Sequence, residues 1–210
     1  VTFTEAVGVT GTPQVNLSTG SANTLINYVL GSGTTTLSFD YIVESGDSVG
    51  DLGYADTSAL ILNGGSIKDV AGNDATLDFT TPGADGSLAA NKTLVIDGVL
   101  AVVNAVSSSS SDGTYKIGDT LNIAITFNES VFTTGVPQLT LETGDADAVV
   151  DYSIGSGSTT LNFSYIVFEG QSTNDLDYTT TNSLVLNGGK IKDAAGNDVI
   201  LTLPEPASTY

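Results

Sequence analysis

The chain repeats itself. Residues 1–86 return as residues 125–210 without an insertion or deletion, at a period of 124 (Glu129 against Glu5, 129 − 5). The same offset pairs residues 60–74 (LILNGGSIKDVAGND) with residues 184–198 (LVLNGGKIKDAAGND), and Gly11-Thr12-Pro13 with Gly135-Val136-Pro137. Self-similarity at a fixed period is the signature of an array, and a unit of this length is long enough to bury its own core. An array of this kind serves as a spacer or as a binding surface.

The register also places the boundaries. Residues 119–127 (DTLNIAITF) read as one strand, and Val1 falls partway along its counterpart. Tyr210 stands opposite Gly86, so residues 87–97 (SLAANKTLVID) have no second copy. Unpaired strands expose backbone groups and apolar faces. The expectation is therefore a fragment of a longer repeat protein, or a subunit whose missing strands come from a neighbour. The division is a first repeat over residues 1–98, lacking its N-terminal strand region, and a second over residues 99–210, lacking its C-terminal strand. Residues 107–111, all serine, read as an exposed loop rather than a hinge, which leaves a short junction near Asp97.

Alternation with period two dominates the pattern. Residues 158–168 (STTLNFSYIVF) put Leu161, Phe163, Tyr165 and Val167 on one side and Thr160, Asn162 and Ser164 on the other, as a half-buried strand requires. Similar signals fall at residues 34–43, 92–96, 121–127, 137–141, 148–154 and 199–203, and no stretch of a dozen residues has helical period. Asn63-Gly64-Gly65 and Asn187-Gly188-Gly189 lie between short apolar runs, where hairpin turns need positive φ. The expected fold is all-β: two tandem Ig-like antiparallel β-sandwiches, both incomplete at the chain ends.

Composition narrows the function. The 24 Asp and Glu against 5 basic residues, all lysine, give a net charge of −19. Such a surface repels nucleic acid and anionic membranes. With no Cys there is no disulfide, thiolate nucleophile or zinc ribbon, and with no His the usual acid–base residue near neutral pH is missing. No run approaches the roughly 20 apolar residues of a membrane-spanning helix.

Acids that recur in both copies are the candidates for chemistry. They are Glu5 and Glu129 near the end of an early strand, Asp51 with Asp175 and Asp177 in the DLGY and DLDY segments, and Asp69 with Asn73 or Asp193 with Asn197 in the D-x-A-G-N loops. Calcium takes several carboxylate and carbonyl oxygens from flexible loops, and the loop Gly permits a tight turn that aims Asp and Asn at one point. The same side chains are equally suited to bonding their own turn backbone. Asp175 and Asp177 also have the carboxylate pairing of a glycosidase, but neighbours on one strand make no substrate cleft, and a chain without Trp offers little sugar platform. Lys68 and Lys192, each followed by Asp, read as strand-end lysines or, less simply, as partners in a lysine–asparagine isopeptide crosslink.

The strings VTFTEAV, GTPQV, GSGTTTLSFDY, DLGY, LNGGSIKDVAGN and NKTLVID together resemble the bacterial Ig-like repeats of giant cell-surface adhesins, including the SWM-type and RTX-adhesin-type repeats. The resemblance covers essentially the whole chain. It implies a secreted or cell-surface, non-enzymatic β-sandwich used in tandem as a stalk, matrix fibre or adhesive surface. It also implies calcium as cofactor, held by Glu5, Asp69, Asn73 and Asp97 in the first repeat and by Glu129, Asp193 and Asn197 in the second. Gly53 replaces the second acid of DLDY in the first copy, which removes that segment from the ligand set there. Asp97 stands at the junction, so calcium bound by it together with the next repeat's acids would stiffen the array. The expected partners are neighbouring copies of the repeat. Two alternatives stand beside this reading: a self-assembling filament subunit using strand donation, and a module binding glycan or another ligand through its loops.

Overall fold

A computed structural model describes residues 1–207 of the chain; the expected end of the second repeat, at Tyr210, lies outside them. The chain forms two compact units, Val1–Val99 and Leu100–Tyr210. Both are built almost entirely of antiparallel strands, with 45% of residues in strands and 2% in helix.

The first unit contains β1 (Thr2–Thr10), β2 (Gln14–Ser18), β3 (Asn23–Leu30), β4 (Thr34–Thr36), β5 (Ser38–Phe39), β6 (Ser48–Val49), β7 (Gly53–Tyr54), β8 (Leu60–Ile61), β9 (Ser66–Asp69), the helical turn α1 (Leu88–Asn91) and β10 (Ile96–Asp97). One sheet has the order β4-β1-β9, a second has β5-β3-β2-β7 with β8 also on β2, and β10 pairs β6. Alternate residues of these strands meet inside: Val7, Val15, Leu17, Leu37, Leu52, Leu60 and Ile67 are buried.

The second unit contains β11 (Val103–Ser108), β12 (Thr120–Thr134), β13 (Gln138–Glu142), β14 (Ala148–Ile154), β15 (Ser158–Ile166), β16 (Asp177–Tyr178), β17 (Leu184–Val185) and β18 (Lys190–Asp193). The order is β11-β12-β15-β14-β13-β16, with β17 on β13 and β18 on β12. The start of β14 pairs β13 and its end pairs β15, so this strand crosses from one face of the unit to the other. The result is sandwich-like: Leu121, Ile123, Ile125 and Phe127 of β12 and Leu161, Phe163 and Tyr165 of β15 share one core with Leu139 and Leu141 of β13. Each such side chain contributes about 1.5–3 kcal/mol on burial, against at most about 1 kcal/mol for an exposed ion pair. The core, not the three lysine–aspartate pairs on the surface, holds each unit together.

The fold departs from the sequence pattern in four places. The Asn-Gly-Gly turns have the positive φ expected (48° at Asn63, 47° at Asn187, 76° at Gly64 and Gly188), but they are not hairpins. Each carries the chain from one sheet to the other, because β8 pairs β2 whereas β9 pairs β1. The hairpin turn is instead the D-x-A-G-N loop, closed by Lys68 opposite Asp74 and Lys192 opposite Asp198. Residues 92–96 are not one strand: Ser87 caps α1, its hydroxyl accepting from the Ala90 N–H at 3.2 Å, and only Ile96–Asp97 pairs. Residues 199–203 contribute a single parallel bridge, Ile200 to Val102. Residues 34–43 break after Phe39. In the last three cases apolar alternation marks residues that pack on the core without finding a ladder partner.

Candidate functional site

Glu129 and Asp193 arrive from different strands of the second unit. The β12–β15 ladder runs without interruption from Thr120 opposite Ile166 to Thr126 opposite Thr160, then resumes only at Val131 opposite Ser158. Five steps along β12 match two along β15, a bulge that places Glu129 between the paired stretches. Val131 then pairs with Asp193, the last residue of β18, so the register itself sets Glu129 beside Asp193. Their carboxylate oxygens lie within 4.8 Å of each other; Asp193 is 3% exposed and Glu129 half-buried.

The D-x-A-G-N loop folds around its own aspartate. Asp193 Oδ1 accepts from the Gly196 and Asn197 N–H groups at 2.8 Å, and its Oδ2 accepts from Asn197 Nδ2 at 2.8 Å. Gly196 reaches its turn at φ 95°, where a side chain would be strained. The Asp–Asn pair therefore organises the turn first. Three of the roughly four acceptor positions of the Asp193 carboxylate are filled, leaving one outward.

The first unit repeats the plan in a more open form. Thr2 opposite Thr36 and Val7 opposite Thr34 enclose the same five-against-two bulge, with Glu5 inside it, and Val7 pairs with Asp69. Asp69 accepts from the Asn73 N–H at 2.8 Å and from Asn73 Nδ2 at 2.7 Å. These bonds, the side-chain amide first, hold its carboxyl below the ordinary value of 3.8. Glu5 and Asn73 are exposed and Asp69 is half-buried. The difference lies in what covers the bulge. In the second unit the Val102 N–H donates to Asn128 Oδ1 at 2.7 Å and the Asn128 N–H returns to the Val102 carbonyl at 3.1 Å, laying a further chain segment beside Glu129. Asn128 escaped the sequence reading because Thr4 stands at its position in the first copy. Its one signal is its place next to Glu129.

The remaining candidates lie elsewhere. Asp97 ends β10, half-buried, with its Oδ1 accepting from the Val99 N–H at 3.1 Å. Asp51 Oδ1 accepts from the Leu94 N–H at 3.1 Å. Asp177 accepts from its neighbour Tyr178 and from the Ala207 N–H, both at 2.8 Å, and Asp175 is exposed. Lys68 pairs with Asp74, and Lys192 with Asp198 at 2.7 Å and the Gly196 carbonyl at 2.9 Å.

Electrostatics gives the Glu129–Asp193 pair its interest. Two ionised carboxylates at that separation repel by about 1–3 kcal/mol in surroundings between bulk water and a protein surface, a penalty that a divalent cation turns into attraction. The donor set is hard oxygen, suited to calcium or magnesium rather than to zinc.

No protein-family model matches the chain, and neither a curated protein nor a solved structure does. Fold and site together define an acidic all-β repeat protein. No helix among the described residues is long and apolar enough to cross a membrane.

Proposed function

We propose that this chain is a non-enzymatic structural module: tandem Ig-like repeats of an extracellular bacterial adhesin, surface layer or matrix filament, stiffened by calcium. The observation that carries the reading is the Glu129–Asp193 pair, which a bulge and a strand register build at one spot in an already acidic chain. Calcium takes six to eight oxygens, so two carboxylates leave places for loop carbonyls, water and one further acid. Asp97 is the acid proposed for that place. It stands four residues before Ala101, which is fully buried in the second unit's core, and that short tether keeps Asp97 within about 14 Å of Ala101 along the chain. The Asn197 and Asn73 amides serve the loop itself, and Glu5 with Asp69 forms the weaker, more open counterpart.

The test is a calcium titration followed by calorimetry of the whole chain and of Asp193→Asn, Glu129→Gln and Asp97→Asn. A calcium-dependent rise in unfolding temperature that each of these variants reduces supports the reading. A rise that survives Glu129→Gln and Asp193→Asn places the ion elsewhere.

A further inference from the structure

The second unit has an open cleft where the first unit has a peptide segment. In the first unit residues 87–97 lie along residues 46–52. Ile96 pairs with Val49 and Asp97 with Ser48. The Leu52 N–H donates to the Leu94 carbonyl at 2.8 Å, and Asp51 takes the Leu94 N–H in return. Leu88 and Ile96 pack against the core, and Leu52 beneath them is 5% exposed.

The counterparts of Ser48, Val49, Asp51 and Leu52, at the offset of 124, are Ser172, Thr173, Asp175 and Leu176. All four line a cleft of about 590 Å³ floored by Leu141 and Tyr165. Its opposite wall is the loop over residues 107–115. Leu176 is only half-buried, and its N–H has no backbone partner among the described residues.

The walls of the two units are built alike. The Tyr41 hydroxyl donates to Asp47 at 2.6 Å and the Glu44 N–H to the same carboxylate at 2.9 Å. In the second unit Gln171 takes the place of Asp47, receiving the Tyr165 hydroxyl and the Phe168 N–H, each at 2.9 Å. The Ser48 and Ser172 N–H groups both donate, at 2.9 Å, to the carbonyls of matching threonines, Thr19 and Thr143. The backbone that receives the segment in one unit is thus already formed in the other.

We propose that this cleft is an acceptor groove for one peptide segment of the 87–97 pattern, contributed by another repeat of this kind. Strand addition uses main-chain bonds for affinity and alternate side chains for specificity. The bonds are defined by the first unit: Thr173 pairs with the position of Ile96, Leu176 donates to the carbonyl at the position of Leu94, and Asp175 accepts that residue's N–H. The leucine at the position of Leu88 and the isoleucine at that of Ile96 cover the apolar floor.

The test uses the whole chain in chelator, which separates it from the calcium reading. The synthetic peptide SLAANKTLVID, capped at both ends, is titrated against the labelled chain while amide resonances are followed, with a scrambled peptide beside it. A second chain carries the same eleven residues appended after Tyr210. The expected result is a saturable shift at Thr173, Leu176 and Tyr165 with residues 48–52 unmoved, weakened at least tenfold by Leu176→Asp. In the appended chain the Leu176 amide exchanges slowly, and unfolding of the second unit moves up by about 5 °C. An equal response to the scrambled peptide overturns the proposal. So does the absence of any saturable shift together with fast exchange at Leu176 in the appended chain.

Discussion

Asp193 stands opposite Val131 in the β12–β18 ladder, and this pairing fixes the rest of the site. Val131 is fully buried, so the register cannot slip without pulling a core residue toward water. The aspartate is thereby held at a buried strand end, where its loop and the Glu129 bulge converge.

The two D-x-A-G-N loops therefore differ in what they contribute. Asp193→Ala leaves the Gly196 and Asn197 N–H groups and the Asn197 amide without their acceptor at a site 3% exposed. A loss of about 1–3 kcal/mol is expected in urea unfolding without calcium. Asp69→Ala, at the half-buried counterpart, is expected to cost less, because water can replace the lost acceptor. Equal losses would mean that burial does not distinguish the loops.

Acid titration gives a second check. The folded Asp69 carboxyl lies below its ordinary value because Asn73 bonds to the ionised form. A depressed folded value contributes stability that is present above the unfolded value, and that contribution is lost as pH falls through the folded one. The window is thus below about pH 4. Asn73→Ala should move the Asp69 carboxyl upward in a carbon-13 titration, toward 3.8; an unmoved titration would remove the amide as the cause.

The sheet-crossing turns tolerate no side chain at their last residue. A Cβ on Gly189 would sit 2.3 Å from the Thr134 carbonyl oxygen, and one on Gly65 would sit 2.1 Å from that of Thr10. Gly189→Ala should destabilise the second unit by about 1–3 kcal/mol, since backbone on both sides must shift. Gly113→Ala, where a Cβ meets nothing within 4 Å, should stay within about 0.5 kcal/mol of the parent in the same unfolding assay.

Much of this was legible in the residues. Alternation located β12, β14 and β15 to within a few positions wherever apolar residues also had a ladder partner. It misled at residues 92–96 and 199–203, where Ile96 and Leu203 are drawn in by packing while neighbouring backbone bonds elsewhere. The Asn63 and Asn187 turns show the same limit: positive φ is a local property that Asn-Gly states, whereas which sheet each flank joins depends on strands far away in sequence. Among the candidate acids, period and loop motif singled out Glu129 and Asp193. Their closeness depends on a bulge, which no local pattern announces. The first copy carries the same letters, yet Glu5 is exposed because coverage, not sequence identity, sets burial.

Calorimetry of the whole chain with 10 mM calcium and with chelator tests the central claim most directly. With dissociation constants of roughly 0.1–1 mM, as in extracellular modules, each site adds about 1.4–2.7 kcal/mol. The account predicts that calcium raises the unfolding temperature by several degrees in the parent chain and that Asp193→Asn abolishes most of the rise. Superimposable traces with calcium and with chelator would contradict it.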